Sequence, residues 1–393
     1  MVQASADGSR VRAFSLPSGK TVWTFTPTSL TSARAGVFVQ ETSAGEKVLV
    51  ARQGRTGGSG LGVSRRTVTV DVLAADSVGA ATAGRHLDLT PPDDTAFSFT
   101  ATDSGFLVGP VTDGVHDEAV VIDAGTGAER TVRSKEMTVS GCGAGSCAVG
   151  SSPAFATARG VVSAFQQQDG CGQWAPAAAS CVYGFQVGDA WTSGSVAPSG
   201  MRAGIPLAVT SRYLVAAWQT GGTQADLPAL SRTRTTTLAV HDLATGRIEA
   251  QVGCTSADAL TLEPGSAQSS TRLSPNGAFL VSGQAGFDLT TGRGHCFTSS
   301  ADARGIDLTA VADDGTAYGI VHTDDGTEAA SLYGRLPISQ DGTNAPGRVP
   351  ARVSLRTGTV TALPAASEVP LYVAADGHGV FRSRDVVAVY PSS

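Results

Sequence analysis

Lysine is almost missing from this 393-residue chain: Lys20, Lys47 and Lys135 are the only ones, and the rest of the 28 basic residues are arginines. Aromatic residues make up only 6% and charged residues only 16%, and no apolar run approaches the eighteen or so residues that a membrane-spanning helix needs. Sustained 3.6-residue periodicity is also missing, which excludes a helical bundle or helical solenoid. The 48 glycines follow no Gly-X-Y period, so they serve turns and bulges instead of a collagen helix. A formal charge of −6 and a pI near 5.5 provide no basic surface, so neither nucleic acid nor an anionic membrane is expected as partner.

Catalytic and cofactor motifs are equally scarce. The run Ser18-Gly19-Lys20-Thr21 has the ending of a phosphate-binding loop, but Phe14 stands where its first glycine belongs. No serine has glycine two residues before and two after it, so the nucleophile elbow is absent. The six histidines are scattered and none sits in a His-Glu-x-x-His pair; His241 beside Asp242 reads as a structural hydrogen-bonding histidine. Asp313-Asp314 and Asp324-Asp325 precede glycine in turns without the spacing of a calcium loop. No metal, no cofactor and no catalytic residue is therefore assigned, and the chain reads more as a binder than as an enzyme.

What is abundant is repetition. Seven times a β-favouring run ends in a small-residue turn at or near Thr-Gly: RVRAFSLPSGK, TVTVDVLAADSVG, AVVIDAGTGAE, VYGFQVGDAWTSG, TLAVHDLATGR, GFDLTTGR and RVSLRTGTV. The closing glycines are Gly19, Gly79, Gly127, Gly194, Gly246, Gly292 and Gly358. Their spacing of roughly 45 to 70 residues is that of propeller blades. Hairpins with tight Asn-Gly or Asp-Gly turns, as in SSTRLSPNGAFLVSG (269–283) and GIDLTAVADDGTAYGIV (305–321), supply the remaining strands. The expected fold is all-β: one domain over 1–393, a single β-propeller of four-stranded blades with strands A to D. Seven blades are favoured and eight are possible if VVAVYP (386–391) belongs to a blade of its own. The N-terminus enters almost directly at strands C and D, and the C-terminus adds an A–B hairpin, so pairing of the two ends is expected to close the ring.

Six cysteines, an even number, fall into three pairs: Cys142 with Cys147, Cys171 with Cys181, and Cys254 with Cys296. Fifteen pairings are open to six cysteines, and six reduced buried thiols are the alternative. Local pairs in glycine-rich loops fit disulfides of an oxidising space, which implies a secreted or surface-anchored protein whose signal or anchor stands outside the present sequence. The arginine bias, with abundant Ala, Gly, Asp and Thr, resembles the codon supply of a GC-rich actinobacterial genome.

The SPNGAFLVSG hairpin resembles the S-P-D-G element of the TolB and WD40-like propellers. RVRAFSLPSGKTVW resembles the quinoprotein-type repeat A-x-D-x-x-T-G-x-x-x-W. Quinoprotein dehydrogenases would carry a vicinal cysteine pair and a docking tryptophan in most blades; here no two cysteines are adjacent and only Trp23 sits cleanly in the tryptophan slot. The resemblance therefore implies cofactor-free propellers of the group that includes the BamB lipoprotein, which recruit partners.

Four B–C connections look long: 53–66, 166–181, 219–234 and 323–350. Loops of this length are uncommon unless they are functional or disordered, and in a propeller they share one face. Candidate binding residues on them are Trp174, Gln168 and Asp169, on a loop bracketed by Cys171 and Cys181, together with Arg55, Arg65, Arg66, Arg232 and Arg234. The arginines suit an acidic partner or a carbohydrate carboxylate; solvated loops are the plain alternative. The resulting expectation is a monomeric, extracytoplasmic scaffold that holds a protein or a cell-envelope glycan on its B–C loop face. A lyase or glycoside hydrolase with its site at the channel mouth is the rival.

Overall fold

A computed structural model of the chain describes residues 1–5, 9–15, 18–28, 30–42, 45–56, 65–89, 97–102, 105–110, 118–123, 125–133, 148–168, 180–220, 222–223, 232–262, 264–322, 348–364, 367–383 and 386–391. Strands dominate them, and the helical pieces among the described residues are one helical turn, Ser193–Val196, and a 3-10 turn, Gln268–Ser270. The chain divides into two compact units, 1–138 with 151–163, and 139–150 with 164–393.

In the first unit, three antiparallel sheets follow one another. Val2–Ala4, Val11–Phe14 and Thr21–Phe25 form the first, with Gly79–Ala80 bridged in parallel to its outer edge. Thr31–Thr42, Gly45–Thr56, Arg65–Ala74 and Arg85–Leu89 form the second, and Phe97–Ala101, Phe106–Pro110, Glu118–Ile122 and Glu129–Arg133 the third. The second sheet shows why these sequences pack as stacked layers. Alternate residues of a strand face opposite sides: Val48, Val50 and Leu73 pack toward Val11, Trp23 and Phe25, while Leu49, Ala51, Val68, Val70 and Val72 pack toward Phe106 and Ile122. Both faces are buried, so its central strands read as nearly continuous apolar runs.

The second unit repeats the plan. Ala203–Val209, Tyr213–Gln219, Arg232–Asp242 and Ile248–Thr261 form one four-stranded meander; Thr271–Leu273, Phe279–Ser282, Ala285–Asp288 and Arg293–Cys296 form the next. A parallel bridge between Gln251 and Arg293 joins their outer edges. Ile306–Val311, Thr316–His322, Arg348–Ser354 and Val360–Ala362 make a third, and Tyr372–Val373, His378–Ser383 and Val386–Pro391 a three-stranded sheet. Val386–Pro391 thus pairs as a third strand beside the C-terminal hairpin, and at the other end Val2–Ala4 adds a strand ahead of the two expected there.

The Thr-Gly turns are the C–D turns of these sheets, and their chemistry is local. Asp242 Oδ1 accepts from the N–H groups of Ala244 and Thr245 and from the Thr245 hydroxyl; Asp123 and Asp288 make the same turn with Thr126 and Thr290. Burial alone would raise Asp242, but those donors outweigh it and hold the carboxyl below its ordinary range. Gly246 then closes the turn at φ +76°, its N–H donating to the Asp242 carbonyl. One turn differs from expectation. Gly194 lies in the helical turn, and the connection after Ser180–Val187 closes instead around Gly188 at φ +45°.

In four of the sheets the C–D turn is tied to the A–B hairpin of the same sheet. The N–H groups of Ala75, Leu243, Leu289 and Leu355 donate to the carbonyls of Glu46, Arg212, Ala278 and Gly315. A–B and C–D turns therefore share one end of these sheets, and B–C loops and D–A connections share the other. Neighbouring sheets interlock through the same turns. The Trp23 indole N–H donates to the Ala75 carbonyl at 3.0 Å, and Trp191 does likewise to Leu243 at 3.0 Å. Trp191 thus makes the same kind of contact as Trp23. Elsewhere other side chains lie against the turn glycine: a Cβ on Gly127 would strike Arg85, and one on Gly358 would strike His295.

Candidate functional site

At the B–C end of the second unit, the sheets of 203–261 and 271–296 leave a small cavity of about 40 Å³. It is lined by Leu207, Leu238, Leu262 and Ala267, by the disulfide between Cys254 and Cys296, and by the polar residues Ser266, Ser282, Gln284 and Thr298. The disulfide joins the two outer strands, with Cα atoms 5.5 Å apart. The seam is reinforced where the Thr298 hydroxyl donates to the Thr255 carbonyl at 2.7 Å and the Ser256 and Ser299 hydroxyls meet at 3.3 Å. Gln284 is held by Asp307, its amide N–H 3.0 Å from the carboxylate. Among the described residues that line it there is no acid, base or free thiol.

Strand register sets what surrounds this cavity. Ile205, Ala217, Leu238 and Val252 occupy one cross-strand row, Ala203 pairs with Gln219 at the end of the first two strands, and Thr236 pairs with Cys254 across the last two. Gln219 is only 8% exposed, yet neither its Nε2 nor its Oε1 has a hydrogen-bond partner. Thr236 cannot supply one through its proton, because its hydroxyl donates to the Trp218 carbonyl at 3.0 Å.

On the opposite face of the 203–261 sheet, an aromatic cluster fixes the neighbouring strands. Trp218 donates its indole N–H to His241 Nε2 at 3.1 Å, and His241 Nδ1 donates to the Gly246 carbonyl at 2.9 Å. Phe185 and Trp191 pack on the imidazole at ring separations of 6.4 and 5.7 Å. Burial pushes His241 down to about 4, against the pull of the Gly246 carbonyl, so the ring is neutral with a defined tautomer. It is a satisfied core histidine, as its place beside Asp242 predicted.

The first unit buries charge at the corresponding end of its second sheet. Arg52 and Asp71 are almost fully buried, with Nη2 and Oδ2 3.6 Å apart, and Arg52 Nη1 donates to the Thr28 carbonyl. His86 bridges Asp71 at 2.5 Å and Asp88 at 3.3 Å. Its hydrogen bond to Asp71 raises its pKa against a smaller effect of burial, whereas desolvation lowers that of Arg52 against the attraction of Asp71.

Among the sequence-selected residues, Arg55, Arg65 and Arg66 lie on paired strand ends, with Arg55 opposite Arg66, and not in a free loop. Arg232 and Arg234 likewise belong to the strand Arg232–Asp242, and Gln168 ends the strand Gly160–Gln168. Strand pairing extends further into these insertions than their composition suggested, because arginine, threonine and glutamine are compatible with a strand ladder. Gly222–Thr223, within the 219–234 insertion, even pairs with Ser180 and Cys181. Asp169, Cys171, Trp174, Cys142, Cys147 and the insertion 323–347 lie outside the described residues, as does the side chain of Cys181. Of the three proposed pairs, Cys254–Cys296 is a disulfide in the structure. The cavity and Gln219 were missed; nothing in a local window distinguishes Gln219 from any strand-end glutamine. Among the described residues no cluster of three or more His, Cys, Asp or Glu could hold a metal ion, and no helix is long and apolar enough to cross a membrane.

Interlocked four-stranded meanders with turn-to-strand docking define a propeller-like fold. No protein-family model and no curated protein matches the chain. Among solved structures it is similar to Sqt1 of Chaetomium thermophilum, with 13% identity over 91% of this chain and 95% of that one and a TM-score of 0.30. It is also similar to the GH74 xyloglucanase of Xanthomonas campestris, with 9% identity over 87% of this chain and a TM-score of 0.31, and to the tricorn protease, with 10% identity over 99% and a TM-score of 0.21. The chain spans 43% and 44% of the lengths of the last two. At such scores these likenesses carry no functional argument.

Proposed function

We propose that this protein is a binding propeller of an oxidising, extracytoplasmic space, which recruits a partner on its B–C loop face. In this reading residues 1–393 form one closed, monomeric, cofactor-free ring of seven blades, or eight if Val386–Pro391 belongs to a blade of its own. The N- and C-terminal strands complete the ring, and the relationship is to the BamB-like propellers. The observation that carries the reading is the cavity lined by the Cys254–Cys296 disulfide at the B–C end: it is largely apolar, stapled by that disulfide, and without acid or base among the described residues that line it. About 40 Å³ admits part of a side chain and is far below the several hundred Å³ of a typical small-molecule site. An apolar anchor in a preformed recess is how protein interfaces concentrate their affinity. Trp174 and the arginines of the neighbouring insertions would extend that surface. The rival enzyme reading would need convergent carboxylates, and none is among the described residues lining this cavity.

The test is capture of partners from envelope and secreted fractions with the wild-type chain and with two variants: Ser266→Phe, which fills the recess, and Trp174→Ala. The expected result is a specific protein or glycan retained by wild type and lost from Ser266→Phe, with Trp174→Ala weakening it by about 2 kcal/mol. Identical capture by all three chains, together with no effect of deleting 323–347, overturns the assignment of this face.

A further inference from the structure

We infer that His86 is a proton-operated clasp at the B–C end of the second sheet: as an imidazolium it joins buried Asp71 to exposed Asp88, and on losing the Nε2 proton it releases Asp88 and loosens the end of the strand Arg85–Leu89. This goes beyond recruitment at the cavity and stands on contacts within the first unit alone.

Register builds the clasp. His86 lies directly opposite Asp71, and Asp88 lies opposite Thr69, which is itself opposite Arg52. Alternate residues of a strand share a face, so Arg52, Asp71, His86 and Asp88 form a zigzag of alternating charge on one side of the sheet. That side also carries Val50 and Leu73, which pack with Val11, Trp23, Phe25, Ala81 and Ala83, none of them ionisable. Thr28 adds only its carbonyl, which accepts from Arg52. Arg85 is on the other face, against Gly127 of the third sheet. Asp71 and Asp88 are thus the charges that act on the ring.

Both ring nitrogens face carboxylate oxygens: Nδ1 is 2.5 Å from Asp71 Oδ1 and Nε2 is 3.3 Å from Asp88 Oδ1. A neutral imidazole has one N–H and one lone pair, so only the imidazolium satisfies both contacts. The two carboxylates differ in what water can do for them. The Asp71 side chain is 4% exposed, its Oδ2 has no hydrogen-bond partner, and His86 is the partner of its Oδ1. Leaving that buried carboxylate without its donor is the costlier loss. The Asp88 side chain is 61% exposed and is readily hydrated. The proton therefore leaves from Nε2, whose lone pair then faces the Asp88 carboxylate and repels it. Asp88 stands one residue before the end of its strand, whereas Leu87 is buried in the cluster of Phe106 and Ile122, so the loosening is confined to Asp88 and Leu89. The hydrogen bond to Asp71 favours the charged ring over the smaller opposing effect of burial, which sets the release at a higher pH than the titration of an exposed histidine.

The experiment follows the full, 15N-labelled chain by NMR from about pH 5 to pH 9. Below the His86 transition both ring nitrogens should carry protons; above it Nε2 should lose its proton while Nδ1 keeps one. Amide exchange at Asp88 and Leu89, corrected for the intrinsic effect of pH, should quicken about 3-fold through the same transition, the scale of an exposed ion pair. Exchange at Val70, in the buried strand, should show no such step. Asp88→Asn and His86→Gln alter solvent-exposed side chains and should each abolish the step at Leu89. A neutral ring protonated at Nε2 would overturn the clasp, and so would a ring that keeps both protons across the whole range. Exchange at Asp88 and Leu89 that passes through the His86 transition unchanged, or a step that persists in Asp88→Asn, would overturn it equally.

Discussion

The indole N–H of Trp191 donates to the carbonyl of Leu243, 52 residues away, at 3.0 Å, and the same indole lies against Gly246 so closely that a Cβ there would meet its ring at 2.9 Å. A strand of one sheet is thereby locked onto the C–D turn of the next, and Trp23 repeats the lock on Ala75. Trp191→Phe retains the apolar packing but leaves the Leu243 carbonyl unpaired, at a cost of about 1–2 kcal/mol. Trp191→Ala adds a cavity and should cost about 3–5 kcal/mol. Urea unfolding checks the order: wild type, then Phe, then Ala.

His241 sets an acid limit on stability. Its folded value of about 4 lies below the ordinary 6.5, so its contribution is fully present above pH 6.5. As pH falls below 6.5 the unfolded chain takes up the proton first, and the contribution is lost by about pH 4. The loss is about 3 kcal/mol at roughly 1.4 kcal/mol per pH unit. Urea midpoints from pH 7 to 4, with His241→Gln as the chain that lacks this slope, test it; equal slopes would exclude the histidine as cause.

The Cys254–Cys296 bridge closes a 42-residue separation. In the chain-entropy account such a loop is worth about 4 kcal/mol, so Cys254→Ala/Cys296→Ala should unfold at markedly lower urea while keeping its strand signature. Alkylation of denatured, unreduced protein followed by mass spectrometry examines the other four cysteines. No modified cysteine is the expected outcome if Cys142–Cys147 and Cys171–Cys181 are also bridged, and six modified cysteines in freshly secreted material would remove the oxidising-compartment reading.

Arg52 and Asp71 bury opposite charges, and removing one strands the other. Asp71→Asn should cost about 3–5 kcal/mol, whereas replacing both by apolar residues of similar size should cost less. His86 behaves oppositely to His241: its folded pKa is raised, so its contribution is present below the unfolded value of about 6.5 and is lost as pH rises through the folded one. An NMR titration of the His86 ring should place its pKa above that of an exposed histidine in wild type and lower it in Asp88→Asn.

Much of the architecture was legible because its determinants are local. The D-x-x-T-G turns of Asp123, Asp242 and Asp288 need only a carboxylate, a hydroxyl and a glycine within five residues, and the alternation of Val48 to Ala51 is visible in any short window. The strands that continue through Arg55, Arg66 and Arg232 look like loops in the sequence, because polar residues on a strand ladder have loop composition until a partner strand is seen. The turn assigned to Gly194 was misplaced for a related reason: a glycine near a Thr-Ser pair does not reveal its own backbone angle.

The sequence by itself determined that this is an all-β repeat protein with glycine-closed turns, an even set of cysteines and no long apolar helix. Periodicity and turn chemistry act over a few residues and need no knowledge of the remainder of the chain. Only the tertiary structure decided that Cys254 meets Cys296, that Trp191 shares the role of Trp23, that Arg52 is buried against Asp71, and that Gln219 is buried with its amide unmatched. Those facts depend on register between strands tens of residues apart, where a shift of one residue turns every side chain to the other face.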